Sequence, residues 1–159
     1  MTNTNIIFEN TRFDPDITPF HGLAKQMAQA FGYTADLALE RSLAQLLRLR
    51  VAQINTCSYC LILHSKAARD QGLRPAKIDN LASWWESELY SAQEKAALKY
   101  CDVLTDANLG NFDDAHMAAQ AHFSEVEIAE MAAIIINMNL WTRLKLAQGA
   151  MPVFEDAHA

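Results

Sequence analysis

The chain has 159 residues, 51% of them apolar, and a formal net charge of −6 at neutral pH. That length suits one domain burying roughly 70% of the surface its unfolded chain exposes. The acidity argues against a nucleic acid partner, because phosphate binding draws on Lys and Arg, and no apolar run approaches the ~20 residues of a bilayer span.

The start, Met1 to Glu9, has no basic n-region, and its apolar run is only Ile6-Ile7-Phe8, so no secretory leader is expected and the protein is expected to be soluble and cytoplasmic. Three cysteines are too few for a disulfide scaffold, and a reducing compartment keeps thiols free. Charge is uneven along the chain. Arg41 to Lys77 carries seven basic residues against one acid, Asp70, a segment of +6 within a remainder of −12. A positive local potential favours thiolate over thiol, and this segment contains both members of a Cys-x-x-Cys pair. Ordinary solvated helix faces are the plainer explanation of the same charges.

Five Gly, four Pro and no alternating Val/Ile/Thr run between turn dipeptides predict an all-α fold of about six to seven helices, with no strand. After an extended arm containing Pro15 and Pro19, a first helix is expected from about Phe20 to a stop at Gly32. A second, from about Ala35 to Ile54, carries Leu39, Leu43, Leu46, Leu47 and Val51 at helical spacing. Asn55-Thr56 offers a turn or cap before a third helix that holds the cysteine pair and ends at Gly72. Pro75 opens a short fourth leading to Trp84-Trp85. Ser91-x-x-Glu94 is a capping box for a fifth, whose stripe of Ala97, Tyr100, Cys101 and Leu104 faces inward. Gly110-Asn111 breaks it, a sixth follows from about Asp113 to Ala121, and Ser124-x-x-Glu127 caps a long seventh through Leu146 that Gly149 and Pro152 end. No repeat or linker divides residues 1–159, so one domain is expected. The run Met131–Ile136 is apolar nearly all round and predicts burial in a subunit interface.

The chemistry concentrates in Cys57-Ser58-Tyr59-Cys60-Leu61-Ile62-Leu63-His64. On a helix, 100° per residue places Cys60 about 60° from Cys57, with His64 between them in projection, so all three share a face. Thiols at i and i+3 of a helix start come within disulfide reach, and the unpaired N–H groups of a first turn stabilise a thiolate.

The run Arg48-Leu-Arg-Val-Ala-Gln-Ile-Asn-Thr-Cys57-Ser-Tyr-Cys60-Leu-Ile-Leu-His64-Ser-Lys-Ala-Ala-Arg69-x-x-Gly72 resembles the core of the carboxymuconolactone decarboxylase-like superfamily, in its alkylhydroperoxidase D (AhpD)-like branch. Trp84-Trp85, Glu94 to Leu98 and Asn139 to Arg143 are similar too, and the likeness covers about residues 40–145. It implies a single-domain AhpD-like helical bundle assembled as a homo-trimer or homo-hexamer, and a peroxide-reducing dithiol without a cofactor. On that pattern Cys60 is the peroxidatic thiolate, Cys57 resolves it, and His64 moves the proton. The thiolate attacks a hydroperoxide and becomes a sulfenic acid, its neighbour condenses with it to a disulfide, and a dithiol reductant, a lipoyl-carrying protein in the implied case, resets the pair.

One position departs from the pattern: Gln45 stands where the branch carries a relay Glu, twelve residues before Cys57. An amide orients a relay but does not take its proton. Tyr59 replaces a His between the thiols; its hydroxyl is read as a substrate contact or as packing. A redox sensor or disulfide relay without turnover is the alternative reading of the same pair. Lactone decarboxylation lacks a legible carboxylate site and has no use for the dithiol. Zinc on Cys57, Cys60 and His64, with Cys101, His116 or His122 as a fourth ligand, lacks a second pair at ligand spacing. Cys101 is read as core, His21, His116 and His122 as surface or capping residues, His158 as part of a mobile tail, and Trp84, Trp85 and Trp141 as packing.

Overall fold

The computed structural model describes residues 5–158; residues 1–4 and the side chain of His158 lie outside it. Seven α-helices are present among the described residues: α1 (Phe20–Phe31), α2 (Arg41–Ile54), α3 (Ser58–Asp70), α4 (Pro75–Asp79), α5 (Ala92–Thr105), α6 (Phe112–Gln120) and α7 (Glu125–Gln148). Trp84 and Trp85 lie on a short 3-10 segment, Leu81–Glu86, not on α4. The all-α expectation holds with one correction. Strand β1 (Ile6–Asn10) pairs antiparallel with β2 (Ala150–Phe154), Ile6 opposite Phe154 and Asn10 opposite Ala150. The partners lie at opposite ends of the sequence, so neither shows the turn-linked alternation by which a hairpin is read.

Local signals fix most helix ends. Both capping boxes form: Ser91 accepts from Glu94 N–H and Ser124 from Glu127 N–H, with each Glu carboxylate accepting from the Ser backbone N–H. Gly149 closes α7 at φ +67 in the left-handed region, where a Cβ would also meet Thr11 Oγ1. α2 begins at Arg41, six residues later than its apolar spacing predicts. The reason is tertiary: both oxygens of Glu130 on α7 accept from the backbone N–H groups of Ala38 and Leu39 and hold that stretch out of the helix.

α2 is the axis of the fold. Every residue from Leu43 to Ala52 is buried, and the helix packs on α3, α5 and α7 at once. Leu46, Leu47 and Val51 meet Leu98 and Cys101 of α5 and Met131, Ile134 and Ile135 of α7 in one core. Burying side chains of this size contributes about 1.5–3 kcal/mol each. The end-to-end ribbon is stitched to α7 by Thr11 N–H to Gly149 O, Arg12 N–H to Gln148 O, and Gln148 Nε2 to Asn10 Oδ1. Phe8 of β1 packs edge-on against Tyr59, ring centroids 4.5 Å apart, so the ribbon braces the start of α3. No described helix is long and apolar enough to cross a membrane.

Most charges of the basic segment have carboxylate partners: Arg50 pairs with Asp102, Lys66 with Asp70, Arg69 with Asp79 and Lys77 with Glu94. The field at the cysteines therefore owes less to this segment than its sequence charge predicts.

Candidate active site

The turn from α2 to α3 sets the cysteines in place. Thr56, a β-branched residue, sits at φ +52, a conformation that costs such a residue of the order of 1–2 kcal/mol. It is held by neighbours on both sides. Asn55 Nδ2 donates to Asn139 Oδ1 and Thr142 Oγ1 of α7, and Cys57 N–H donates to Ala52 O. The outcome is that Cys57, not Asn55 or Thr56, is the N-cap of α3, its Sγ accepting from Cys60 N–H at 3.3 Å.

A hydrogen bond joins the two sulfurs, 2.6 Å apart; both are free thiols and both are buried. The pair is not symmetric. The hydrogen bond with Cys60 lowers the Cys57 pKa most, and the helix N–H and the Lys145 charge add to it against the cost of burial. Cys60 is pushed up by that same bond and by burial. Of the two sulfurs, Cys57 at the helix start is the one whose surroundings favour the thiolate, and Cys60 the one whose surroundings favour the thiol.

His64, one turn beyond Cys60, is buried beside Gln45. Gln45 Nε2 donates to His64 O (3.0 Å) and to His64 Nδ1 (3.2 Å), while Gln45 Oε1 accepts from Arg48 Nη1 (3.2 Å). This orientation follows from chemistry. A backbone carbonyl only accepts and a guanidinium only donates, so the amide cannot be turned round. His64 Nδ1 must then be an acceptor, and the ring hydrogen sits on Nε2. Protonating Nδ1 would set N–H against N–H. Burial, and secondly the Arg48 charge, push the His64 pKa down to about 4. At neutral pH His64 is thus a fixed neutral ring that offers a hydrogen-bond donor at Nε2.

Cys60 and His64 line a cavity of about 310 Å³, together with Tyr33, Arg48, Tyr59 and Trp141. Cys57 does not line it. Tyr33 meets His64 edge-on at 6.3 Å. Tyr59 lines the wall, and its ring carries Lys145 Nζ 4.4 Å from its centroid, so it packs as well as facing the cavity.

The structure thus brings together all four residues singled out by sequence, Cys57, Cys60, His64 and Gln45. It adds three more. Lys145 lies at the far end of the chain from the motif, yet its charge favours the thiolate at both cysteines. Arg48, one of the seven basic residues and the first of the run that carries the family resemblance, lines the cavity. Trp141, read as packing, lines the cavity with Nε1 buried and unbonded. His21 is buried rather than on the surface, its Nδ1 2.7 Å from Asp16 and its ring against Trp141. Cys101 is core as expected, bonded to Leu47 O. His116 stacks on Phe112 and His122 is exposed. Among the described residues no group of three or more His, Cys, Asp and Glu gathers in a metal-holding arrangement.

Residues 22–102 match the carboxymuconolactone decarboxylase family. An uncharacterized protein of Bacillus subtilis, YdfG, is 30% identical over 118 residues, covering 74% of this chain and 80% of that protein. An Agrobacterium tumefaciens structure of unknown function, whose description proposes an antioxidant defence protein AhpD, superposes with a TM-score of 0.81 at 30% identity, over 89% of this chain and 97% of that one. An uncharacterized peroxidase-related protein from Silicibacter sp. TM1040 has a TM-score of 0.72 at 20% identity, covering 84% of this chain and 70% of that one, a likeness of fold alone.

Proposed function

The chain belongs to the carboxymuconolactone decarboxylase family, and from that premise we propose that it is a thiol-dependent hydroperoxide reductase cycling a Cys57–Cys60 disulfide. The observation that carries this reading is the division of labour within the dithiol: one sulfur caps a helix start that favours its thiolate, and the other lines a cavity large enough for a small organic molecule.

In this scheme Cys57 takes the place of the missing relay carboxylate. As Cys60 attacks the distal oxygen of a bound hydroperoxide, its proton passes to Cys57, and the departing alkoxide takes a proton from solvent and leaves as an alcohol. His64 Nε2–H hydrogen-bonds the developing charge without giving up its proton. Cys60 is then a sulfenic acid. Cys57 attacks that sulfur and closes the disulfide, and the hydroxide displaced takes the Cys57 proton and leaves as water. Two electrons have moved from the dithiol to the peroxide, and an external dithiol restores them by exchange. A lipoyl-carrying protein is the reductant class that family resemblance supports.

Organic-hydroperoxide consumption with excess dihydrolipoamide tests the proposal. Sustained turnover that Cys60→Ser and Cys57→Ser each abolish is the expected result. A single stoichiometric oxidation followed by arrest would instead assign the pair to a redox sensor or relay, for which the absence of a carboxylate base beside His64 would then be the explanation.

A further inference from the structure

Arg48 is a buried cation without a counter-ion. Its side chain is only 2% exposed, and no ion pair joins it to a carboxylate among the described residues. Its terminal nitrogens donate to Gln45 Oε1, Phe31 O and Gly32 O, neutral acceptors that carry partial charge only. Its Nε is buried with no partner at all. On its other side Arg48 borders a second cavity rimmed by Asp36 and Glu40, and neither makes an ion pair with it. A buried charge left this way is costly unless something completes its coordination.

What Arg48 faces is the site cavity. None of the residues lining that cavity is Asp or Glu, and Lys25 stands among them. Two further buried polar atoms of the lining residues lack a partner, the donor Trp141 Nε1 and the acceptor Asn137 Oδ1, and His64 Nε2 carries the ring hydrogen that the amide of Gln45 forces onto it. Leu63, Met138 and the aromatic rings make the rest of the wall apolar. With an uncompensated guanidinium, N–H donors at Trp141 and His64, no carboxylate and apolar sides, the cavity is complementary to an organic anion whose charge lies at Arg48.

We propose that the cavity is an anion-recognising site, and that the substrate of the dithiol is a small organic hydroperoxide bearing a carboxylate whose charge Arg48 meets. The substrate class rests on the peroxidase reading; the anion site does not. Gln45 gains a second role here. Where a Glu at this position would neutralise Arg48 internally, the amide leaves the guanidinium's charge available to a ligand.

Calorimetric binding of two unreactive isosteres to the fully reduced protein tests this directly. The pair is 4-isopropylbenzoate and 4-isopropylbenzamide, alike in shape and different in charge. The benzoate is expected to bind at least tenfold more tightly than the amide. Arg48→Met should bring the ratio to about one. Because Arg48 is buried and that variant risks misfolding, Gln45→Glu serves as the second: it keeps Arg48 in place, sets a carboxylate against Nη1, and should likewise erase the preference. Equal binding of the two by wild type, preference for the amide, or binding of neither would overturn the anion site. Turnover is a separate arm. Consumption of cumene hydroperoxide with equal binding of the isosteres would leave the peroxidase reading standing and remove this substrate class. Benzoate preference with no hydroperoxide consumed would leave the anion site and remove the peroxidase.

Discussion

At His64, one hydrogen bond decides what the residue can do. Because Gln45 Nε2 must donate, Nδ1 must accept, and the ring has no free lone pair with which to act as a base. The resemblance sets Gln45 against a relay Glu, but the sequence does not show that the amide's orientation is pinned by Arg48 on one side and a carbonyl on the other. Gln45→Glu is therefore expected to raise the His64 pKa well above about 4 and to increase turnover of a neutral hydroperoxide such as cumene hydroperoxide. An NMR titration of the ring and an unchanged or slower rate are the two observations that would count against this. His64 also bears on stability. Its folded pKa lies below its unfolded value of about 6.5, so the unfolded chain takes up the proton more readily. The contribution of the neutral ring is intact above pH 6.5 and is lost as pH falls toward 4, by an amount of the order of 3 kcal/mol. Wild type should accordingly lose more thermal stability between pH 6.5 and pH 4.5 than His64→Gln does.

Among the elements, those set by local chemistry were the legible ones. Ser91-x-x-Glu94 and Ser124-x-x-Glu127 open α5 and α7 as their spacing predicts, and Gly32 and Gly149 follow α1 and α7 directly. The elements that depend on distant partners were not legible. The start of α2 is set by Glu130, about ninety residues further on, and β1 finds its strand partner across almost the whole chain. The α2–α3 turn belongs to the same group, since Thr56 is held in a left-handed conformation by contacts that reach α7. Thr56→Gly removes the steric cost of that conformation, and although glycine loses more chain entropy on folding, the net expectation is a gain of about 0.5–1 kcal/mol in urea unfolding. A loss of stability would mean that the threonine hydroxyl or methyl contributes more than the backbone strain costs.

On the scale of the whole molecule, the same distinction separates the motif from its surroundings. Cys57, Cys60 and His64 are adjacent in sequence, so helical geometry alone brings them to one face. Arg48, Lys145 and Trp141 reach the site only because α2 and α7 both pack on α3, and no spacing rule connects them. The bundle also leaves apolar surface uncovered: Ile17, Phe20 and Leu23 at the start of the chain and Ile136 on α7 are each about half exposed or more. Exposed apolar clusters of this kind are sites of association, which supports the homo-oligomer that family resemblance implies. Leu23→Glu is expected to shift the protein to a smaller species in sedimentation velocity while leaving its helical circular dichroism intact, and an unchanged sedimentation coefficient would place any association elsewhere.

The central claim is that Cys60 meets the peroxide and Cys57 answers it. Treating Cys57→Ser and Cys60→Ser with one equivalent of organic hydroperoxide in the presence of dimedone, then mapping the adduct by peptide mass spectrometry, tests it most directly. A dimedone adduct on Cys60 in Cys57→Ser, accumulating slowly because Cys57 no longer takes the proton, with none on Cys57 in Cys60→Ser, is the predicted result; an adduct on Cys57 alone, or on neither cysteine after prolonged exposure, would contradict the account.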